Sequence, residues 1–320
     1  MRSVLAFTII FKRMIKQAIV IWIILCLSAC TNLVFCPDQF RYTCPDKFGL
    51  DHEDIFLATA DGNQLHGWLL KSSSEKKGTV FFLHGNAQNI SAHIHSVYWL
   101  PENGYDVFMI DYRGYGQSTG SPSVRGVIDD ITTGFTWLTK NVMDQKTPIF
   151  LLGQSLGASL GICFAGSNLE AKNQLSGVIL DSGFSNFRTI AREKLSQFWL
   201  TWPFQYPLSM LLTDKYNPED FIQHISPVPV LIMHSDEDKV IPSSHGKRLF
   251  KLAGTPKCYI QTGDGHINTF RYNAYRNEVL KFMSRFSFKS FSAWKPVPSC
   301  YQNSSSFSNI SDLQTGSVSC

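Results

Sequence analysis

The sequence contains no acidic residue before Asp38, and this absence accounts for its apparent basicity. The 320 residues include 29 Lys and Arg against 25 Asp and Glu, which gives a formal net charge of +4. Arg2, Lys12, Arg13 and Lys16 supply the whole excess, because the rest of the chain has equal numbers of basic and acidic residues. A formally neutral body gives no support to nucleic-acid binding.

Sequence patterns for metal and cofactor sites are also missing. There is no Cys-x-x-Cys, no His-Glu-x-x-His, no dinucleotide fingerprint and no phosphate loop. We therefore expect no metal ion and no cofactor, and we expect His93 and His95 to be solvated helix residues. The composition is 44% hydrophobic and 17% charged, which excludes a disordered chain and is typical of a large buried core.

The amino terminus has an apolar run that is too short to span a membrane. Residues 18–27 are ten apolar residues behind the early cations, which is typical of a secretory signal peptide. The sequence Leu-Ser-Ala-Cys at residues 27–30 resembles a bacterial lipobox, whose Cys is lipidated and becomes the mature amino terminus. The resemblance implies a signal peptide over residues 1–29, a multiply acylated Cys30 and a tether over residues 30–47.

The predicted location is the bacterial cell envelope, with the protein held on a membrane by its lipid anchor. Because no Asp follows Cys30, the resemblance favours the periplasmic side of the outer membrane. An uncleaved anchor over residues 18–35 and a plain secretory signal remain alternatives. In an oxidising compartment, Cys36 and Cys44 could form a disulfide, although spacing does not fix its geometry. Two cysteines in apolar runs are predicted to be core residues: Cys163 and Cys258.

From residue 54 onward, continuous apolar runs of strand length alternate with longer amphipathic segments. This alternation predicts an α/β fold with a mostly parallel central sheet that helices cover on both faces. The predicted strands are residues 54–58, 65–70, 79–83, 107–110, 149–152, 177–180, 230–233 and 258–260. The predicted helices are residues 91–103, 123–141, 156–167, 243–252 and 269–286.

Two regions depart from this alternation. Residues 184–226 form an aromatic insertion between two predicted strands, which is too long for an ordinary connection and is typical of a lid. Residues 289–320 are Ser-rich and aperiodic, so we predict a largely disordered tail. The predicted α/β domain therefore covers residues 48–288 and includes the lid.

A Gly-x-Ser-x-Gly pattern occurs twice, around Ser118 and around Ser155. Such a serine acts as a nucleophile when a strand delivers it to a tight turn and a helix follows. The apolar residues 149–152 precede Ser155 and a small-residue helix follows it, whereas Ser118 runs into the loop residues Ser121 and Pro122. We predict Ser155 as a nucleophile whose hydroxyl lies at a helix N-terminus.

A serine nucleophile needs a general base and an acid that orients the base. In this kind of α/β architecture the chain order is serine, acid, histidine. His266 follows the last predicted strand and precedes the last predicted helix, which places it over the carboxyl edge of the sheet. The other histidines after Ser155 are predicted to be structural: His224, His234 and His245.

Three carboxylates are candidates for the acid. Asp181 follows the predicted strand 177–180, and Asp236 and Asp238 follow the predicted strand 230–233. Spacing favours Asp238, and the other two remain alternatives because sequence does not fix the geometry.

Three segments resemble motifs of the α/β-hydrolase superfamily. Residues 234–242, His-Ser-Asp-Glu-Asp-Lys-Val-Ile-Pro, look like the family pattern Gly-x-x-Asp-x-x-Val-Pro, with Asp238 at the acid position and Ser235 in place of the first Gly. Residues 84–86, His-Gly-Asn, resemble the oxyanion segment, and residues 111–116, Asp-Tyr-Arg-Gly-Tyr-Gly, also match. The resemblance covers residues 48–286 and points to the branch of serine aminopeptidase-like, monoacylglycerol lipase-like and depalmitoylase-like hydrolases.

The resemblance implies roles for further residues. The backbone N–H groups of Leu156, next to the nucleophile, and of Asn86 would form an oxyanion hole. His84 would be a scaffold residue rather than a base. Two side chains would brace the loop near the site: Arg113 and Tyr115. A salt bridge to Asp111 explains Arg113 equally well.

The sequence therefore predicts a serine hydrolase that cleaves carboxylic esters or thioesters through an acyl-enzyme, with Ser155, Asp238 and His266 as its catalytic residues. The aromatic residues of the lid favour an apolar acyl group, although packing of the lid on the core explains them equally well. Two alternatives stay open: a serine peptidase, and a surface lipoprotein that uses the fold only for binding. The expected partners are an acyl ester substrate and a membrane.

Overall fold

The computed structural model describes residues 34–142, 147–212 and 214–287 and the backbone of residues 300–302. The predicted signal peptide, Cys30 and the first residues of the tether lie outside the described residues, as does most of the predicted tail. Within the described part of the chain, no helix is both long enough and apolar enough to cross a bilayer.

Eleven strands occur among the described residues: β1 (Cys36–Pro37), β2 (His52–Ala58), β3 (Gln64–Leu70), β4 (Gly78–Leu83), β5 (Ala87–Gln88), β6 (Tyr105–Ile110), β7 (Ile149–Gln154), β8 (Leu175–Asp181), β9 (Val230–Ser235), β10 (Lys257–Thr262) and β11 (Cys300–Gln302). Nine form one sheet in the order β11-β10-β9-β8-β7-β4-β6-β3-β2. The pairs β2–β3 and β3–β6 are antiparallel, and the other pairs of this sheet are parallel.

The α-helices of the described residues are α1 (Ile90–His93), α2 (Val124–Asn141), α3 (Leu156–Ser167), α4 (Leu169–Gln174), α5 (Phe187–Ser196), α6 (Gln205–Ser209), α7 (Pro218–Phe221), α8 (Ser243–Leu252) and α9 (Asn273–Arg285). The central strand β4 contributes alternate side chains to two buried clusters, Phe81 and Leu83 to one and Val80 and Phe82 to the other. Helices α2 and α3 pack in the first cluster and α9 in the second, so both faces of the sheet are covered.

The predicted fold class is confirmed, and every predicted strand lies within an observed one. Helices α2, α3 and α8 match their predictions to within a residue, and α2 begins after Ser123, whose hydroxyl accepts the N–H of Gly126 at 3.1 Å. The single helix predicted over residues 91–103 is wrong. The chain forms α1 and two 3₁₀ turns there, the second of which starts at Pro101, and proline has no N–H with which to continue a helix.

The predicted lid segment, residues 184–226, connects the adjacent parallel strands β8 and β9. It consists of short helical pieces: α5, α6, α7 and the 3₁₀ turns Trp202–Phe204 and Ile222–Ile225. Helix α5 begins after Asn186, whose side-chain oxygen accepts the N–H of Thr189 at 3.0 Å.

One expectation about the cysteines is wrong. Cys258 in β10 is disulfide-bonded rather than a core thiol, whereas Cys163 is a buried thiol as predicted. Within the predicted tail, residues 300–302 form β11 and cover the edge of β10 with the Cα atoms of Cys258 and Cys300 in register, and a largely disordered tail over residues 289–320 stays a prediction. At the other end of the chain, Cys36 and Cys44 are not joined to each other.

Candidate active site

Ser155 lies at a tight turn between the end of β7 and the start of α3. Its φ of 53° and ψ of −115° place a non-glycine residue in a strained backbone conformation. The turn is held by the N–H of Ser155, which donates to the carbonyl oxygen of Asp181 at 2.8 Å. This geometry is the one that a nucleophilic serine adopts on a strand-to-helix turn.

The two glycines of the motif make the turn possible. A Cβ on Gly157 would overlap the carbonyl oxygen of Leu83, and a Cβ on Gly153 would lie 2.6 Å from the carbonyl oxygen of Gly157. Helix α3 therefore approaches β4 and β7 so closely that any side chain at these positions would displace the backbone.

The second Gly-x-Ser-x-Gly segment has a structural role. Ser118 is buried, its Oγ donates to the carbonyl oxygen of Asp111 at 2.7 Å, and it accepts the N–H of His66 at 2.9 Å. Its hydroxyl is thus committed to joining the loop after β6 to β3, as its loop context in the sequence predicts.

His266 lies in the loop after β10 and connects Ser155 to Asp238. Its Nε2 atom is 2.9 Å from Ser155 Oγ, and its Nδ1 atom is 2.7 Å from Asp238 Oδ2. In the tautomer with its proton on Nδ1, the imidazole donates to Asp238 Oδ2 and Nε2 accepts from the serine hydroxyl. The structure therefore brings together the three residues that the sequence predicts.

The carboxylate of Asp238 is buried and fully engaged. Its Oδ1 atom accepts the N–H groups of Val240 and Ile241, each at 2.8 Å, while Oδ2 faces His266. Burial raises the pKa of Asp238, but the hydrogen bond and charge of His266 and the two backbone N–H groups outweigh it, so the pKa lies below its ordinary value. The group is therefore held ionised beside the imidazole.

The two alternative acids point elsewhere. Asp181 Oδ2 accepts from Gln154 Nε2 at 2.8 Å and Oδ1 accepts from the Thr269 hydroxyl at 2.7 Å. Complete burial raises the pKa of Asp181 to about 6. Asp236 lies near the surface, 3.0 Å from Lys247 Nζ.

The other histidines contact structural partners. His234 Nε2 is buried 2.9 Å from the carbonyl oxygen of Ile241, and His245 in α8 contacts Ser185 and Glu193. His224 lies in the 3₁₀ turn at the end of the lid. None of these imidazoles is the one that contacts Ser155 Oγ.

The predicted oxyanion segment lies directly beside Ser155. Leu156 is the first residue of α3, so its N–H belongs to the open end of a helix. A Cβ on Gly85 would lie 3.6 Å from Ser155 Cβ, which shows how closely the backbone before Asn86 approaches the serine. Both Asn86 and Leu156 line the same pocket as Ser155.

His84, at the start of this segment, is fully buried and stacks on Tyr112 with ring centroids 4.1 Å apart. Burial holds the pKa of His84 well below its ordinary value, so the ring is a neutral scaffold group. His93 is also buried, with Nε2 3.0 Å from the carbonyl oxygen of Ala87, so the expectation of a solvated residue is wrong.

Arg113 does not pair with Asp111, which was one of its two predicted roles. Its guanidinium lies between Asp130, at 2.7 Å, and Asp61, at 2.7 Å, while Asp111 accepts the N–H of Ile90 at 2.9 Å. The arginine thereby fixes the loop that follows β6 against α2 and the β2–β3 turn.

The tether is part of the site, which no feature of the sequence indicates. Strand β1 pairs in parallel with β5, directly after the oxyanion segment. Cys36 N–H donates to Asn86 Oδ1 at 2.9 Å, and Asn89 Nδ2 donates to the carbonyl oxygens of Asp38 and Phe40 at 2.9 and 2.8 Å. Pairing between two-residue strands depends on long-range contacts, so local sequence carries no signal for it.

Comparisons with known proteins agree with this geometry. The family model for serine aminopeptidases, S33, matches residues 74–223. The uncharacterized protein YfhR of Salmonella typhimurium is 34% identical over 292 residues, which is 85% of this chain and 96% of YfhR. The chain belongs to the α/β-hydrolase superfamily.

Two further comparisons relate this hydrolase to a named lipase and to an esterase of known structure. The lysophosphatidylserine lipase ABHD12 of Danio rerio is 31% identical over 199 residues, 59% of this chain and 51% of that protein. The Pyrococcus furiosus esterase Pf2001 superimposes with a TM-score of 0.65 at 21% identity, over 79% of this chain and 97% of that chain. The second likeness shows the shared fold.

An apolar pocket of this α/β-hydrolase contains Ser155 in its wall. Its lining comes from the tether, the oxyanion segment, the lid with its helix α5, and the loop after β9, and includes Val34, Asn86, Phe187, Ile190, Lys194 and Leu212. Among the described residues that line this pocket, Lys194 is the one with a charged side chain. A larger cavity of about 230 Å³, against about 140 Å³ here, lies between the amino ends of β9 and β10 and α9, but no serine or histidine among the described residues lines it.

Proposed function

We propose that this hydrolase cleaves carboxylic esters or thioesters by transferring the acyl group to Ser155. The observation that carries the proposal is the continuous hydrogen-bonded chain from Ser155 Oγ through His266 to Asp238, with distances of 2.9 and 2.7 Å. Ser155 Oγ attacks the carbonyl carbon while His266 Nε2 takes its proton, and ionised Asp238 stabilises the resulting imidazolium. The N–H groups of Asn86 and Leu156 bind the oxyanion that forms on the carbonyl oxygen.

The remaining steps use the same groups in reverse. His266 gives its proton to the departing alcohol or thiol, and the bond between the carbonyl carbon and the leaving group breaks to give an acyl-enzyme on Ser155. Water then attacks the acyl carbonyl with His266 as general base, and the acid is released.

The proposed substrate class is an ester with an apolar acyl group. The pocket beside Ser155 is walled mainly by aliphatic and aromatic side chains, which favour an apolar group over a charged one. The relative ABHD12 is named a lysophosphatidylserine lipase, and this name supports the proposal that the substrate is a lipid ester.

A serine peptidase is the second candidate, because the matching family model describes serine aminopeptidases. An aminopeptidase binds the free ammonium group of its substrate, for which a carboxylate in the pocket would be the fitting partner. The charged residue that lines the pocket is Lys194 instead. This positive charge favours a neutral or anionic ester.

We also propose that the protein is anchored to a membrane of the bacterial cell envelope by lipids on Cys30, on the periplasmic side of the outer membrane. The support is the sequence of residues 18–30, an apolar run that ends in a lipobox-like Leu-Ser-Ala-Cys. Mass spectrometry of the mature amino terminus tests this, because an intact peptide from Cys26 to Cys36 would contradict cleavage before Cys30.

The catalytic proposal is tested with a fluorophosphonate probe, which reacts covalently with activated serines. The folded wild-type protein should be labelled and Ser155→Ala should not. Failure of the wild type to react would favour a non-catalytic binding module on this fold. A panel of esters of different acyl length, with matched thioesters and amides, then separates esterase, thioesterase and peptidase activity.

A further inference from the structure

Residues 198–211 of the lid expose a set of large apolar side chains, which we call the lid face. The exposed fraction is 76% for Trp199, 62% for Met210 and 59% for both Trp202 and Tyr206. Residues 195–213 contain no charged side chain. An exposed apolar patch of this kind marks a surface that binds a protein or a membrane.

The lid face is continuous with the pocket at Ser155. Helix α5 lines the pocket with Phe187, Ile190 and Lys194, and the lid face begins one turn further along the chain. At its other end the lid face is followed directly by Leu212, which again lines the pocket. Whatever binds the lid face therefore lies beside the entrance to the pocket.

The tether brings the proposed membrane anchor to the same place. Val34, the first described residue, lines the pocket, and Cys30 precedes it by four residues. Four extended residues span at most about 14 Å. Lipids on Cys30 would therefore hold the bilayer within about that distance of the pocket.

The chemistry of the lid face fits a bilayer surface. Tryptophan and tyrosine are the side chains enriched at the level of lipid headgroups. Cations border the face: Arg192 Nε donates to the Ser209 hydroxyl at 2.9 Å, its guanidinium lies 5.2 Å from the Tyr206 ring centre, and Lys194 precedes Phe198 by four residues in the sequence. Cations around an apolar surface bind anionic lipid headgroups.

We propose that the lid face lies on the bilayer surface, so that the pocket at Ser155 opens toward the membrane and takes acyl lipid esters from it. This inference rests on the proposed membrane anchoring and ester hydrolysis. A protein partner and a second copy of this chain are the competing occupants, and the experiments below distinguish them.

The contact itself can be measured by tryptophan fluorescence. The full-length protein is reconstituted in vesicles of equal parts phosphatidylcholine and phosphatidylglycerol, with or without bromine atoms on the acyl chains, which quench nearby tryptophans. Replacing Trp199 and Trp202 together by Phe should lower the quenched fraction at least twofold. Of the other five tryptophans, Trp22 belongs to the proposed signal peptide, and the remaining four lie outside the lid face: Trp68, Trp99, Trp137 and Trp294. Equal quenching in wild type and variant would overturn the proposal.

Activity gives a second readout. In the Trp199→Ser, Trp202→Ser double variant, hydrolysis of a long-chain monoacyl ester held in the same vesicles should fall at least tenfold. Turnover of an acetyl ester dissolved in water should change less than twofold. The matched control is Leu169→Ser on α4, where a side chain that is 70% exposed is replaced far from the lid face, and neither activity should change.

The other outcomes are decisive as well. An equal loss on both substrates would show that the lid face supports the active site directly, and a change of oligomeric state in the double variant with unchanged quenching would assign the face to a second copy. Each of these overturns the proposal. Fluorophosphonate labelling distinguishes a failure of the membrane inference from a failure of the proposed catalysis. A labelled protein without quenching of the lid-face tryptophans contradicts only the membrane inference. An unlabelled protein that shows this quenching contradicts only the proposed catalysis.

Discussion

The backbone N–H of Cys36 donates a hydrogen bond to Asn86 Oδ1 at 2.9 Å, across fifty residues of sequence. The same oxygen accepts the hydroxyl of Tyr115 at 3.0 Å, and this hydroxyl accepts in turn from Cys36 N–H at 3.2 Å. The tether, the oxyanion segment and the loop after β6 therefore meet at the side chain of Asn86. The position of the Asn86 backbone, which we propose to bind the oxyanion, depends on all three.

Tyr115→Phe tests this arrangement. Removing the hydroxyl takes one of two donors from Asn86 Oδ1, and we expect kcat for a soluble ester to fall about tenfold with KM within twofold, because the oxyanion forms only after binding. The loss of one buried hydrogen bond should also lower the free energy of unfolding by about 1 kcal/mol.

Tyr112→Phe is the matched control for this variant. Its buried hydroxyl donates to the carbonyl oxygen of His84 at 3.0 Å and leaves the Asn86 side chain untouched. We expect a similar loss of stability with at least fivefold less effect on kcat. Equal kinetic effects in the two variants would contradict a positioning role for Tyr115.

The serine turn and the two residues beside it could be predicted because their signals are local. Gly-x-Ser-x-Gly after an apolar strand fixes a turn by backbone packing, and His266 and Asp238 follow strands whose carboxyl ends meet at one edge of the sheet. The tether contacts and the Asp130 partner of Arg113 could not be predicted, because pairing between distant segments leaves no periodic pattern. The role of Cys258 was missed because an apolar neighbourhood is equally compatible with a thiol and with a disulfide.

Asp238→Asn and Asp181→Asn should distinguish two of the candidate acids. In Asp238→Asn the N–H groups of Val240 and Ile241 hold the amide oxygen, so the amide NH₂ group faces His266 Nδ1 as a donor and favours the wrong tautomer. We therefore expect kcat to fall about 10³- to 10⁴-fold with little change in KM. Asp181→Asn, whose carboxylate contacts Gln154 and Thr269, should lower kcat less than tenfold. The reverse order of the two effects would assign the acid to Asp181.

Asp181 should also make stability depend on pH. Burial raises its pKa from 3.8 to about 6, so the folded protein holds this proton more tightly than the unfolded chain does. Stability is therefore lost as pH rises from about 4 to 6 and is constant above that range. In Asp181→Asn this loss is absent. The difference in the free energy of unfolding, variant minus wild type, should therefore rise by about 2 kcal/mol from pH 4.5 to pH 7.5.

Urea unfolding at the two pH values measures this difference. Gln154 can adapt to the substitution, because its Oε1 atom is buried without a hydrogen bond among the described residues and can accept from the new amide. Asp236→Asn is the control, since the pKa of this near-surface carboxyl is lowered rather than raised and its variant should show no such gain. A stability difference for Asp181→Asn that is the same at both pH values would refute the prediction.

The two carboxylate partners of Arg113 should contribute unequally to the free energy of unfolding. The Asp130 side chain is 0% exposed and binds the guanidinium and the backbone N–H of Arg113, whereas Asp61 is 54% exposed. Asp130→Asn leaves a buried cation without its buried counter-charge, so we expect the free energy of unfolding to fall by about 3–5 kcal/mol. Asp61→Asn removes a solvent-screened partner and should change the unfolding midpoint little. Because the cost arises from the unpaired charge, the double variant Arg113→Met, Asp130→Leu should recover most of the lost free energy of unfolding. Failure to recover it would show that the pair has a role other than mutual neutralisation.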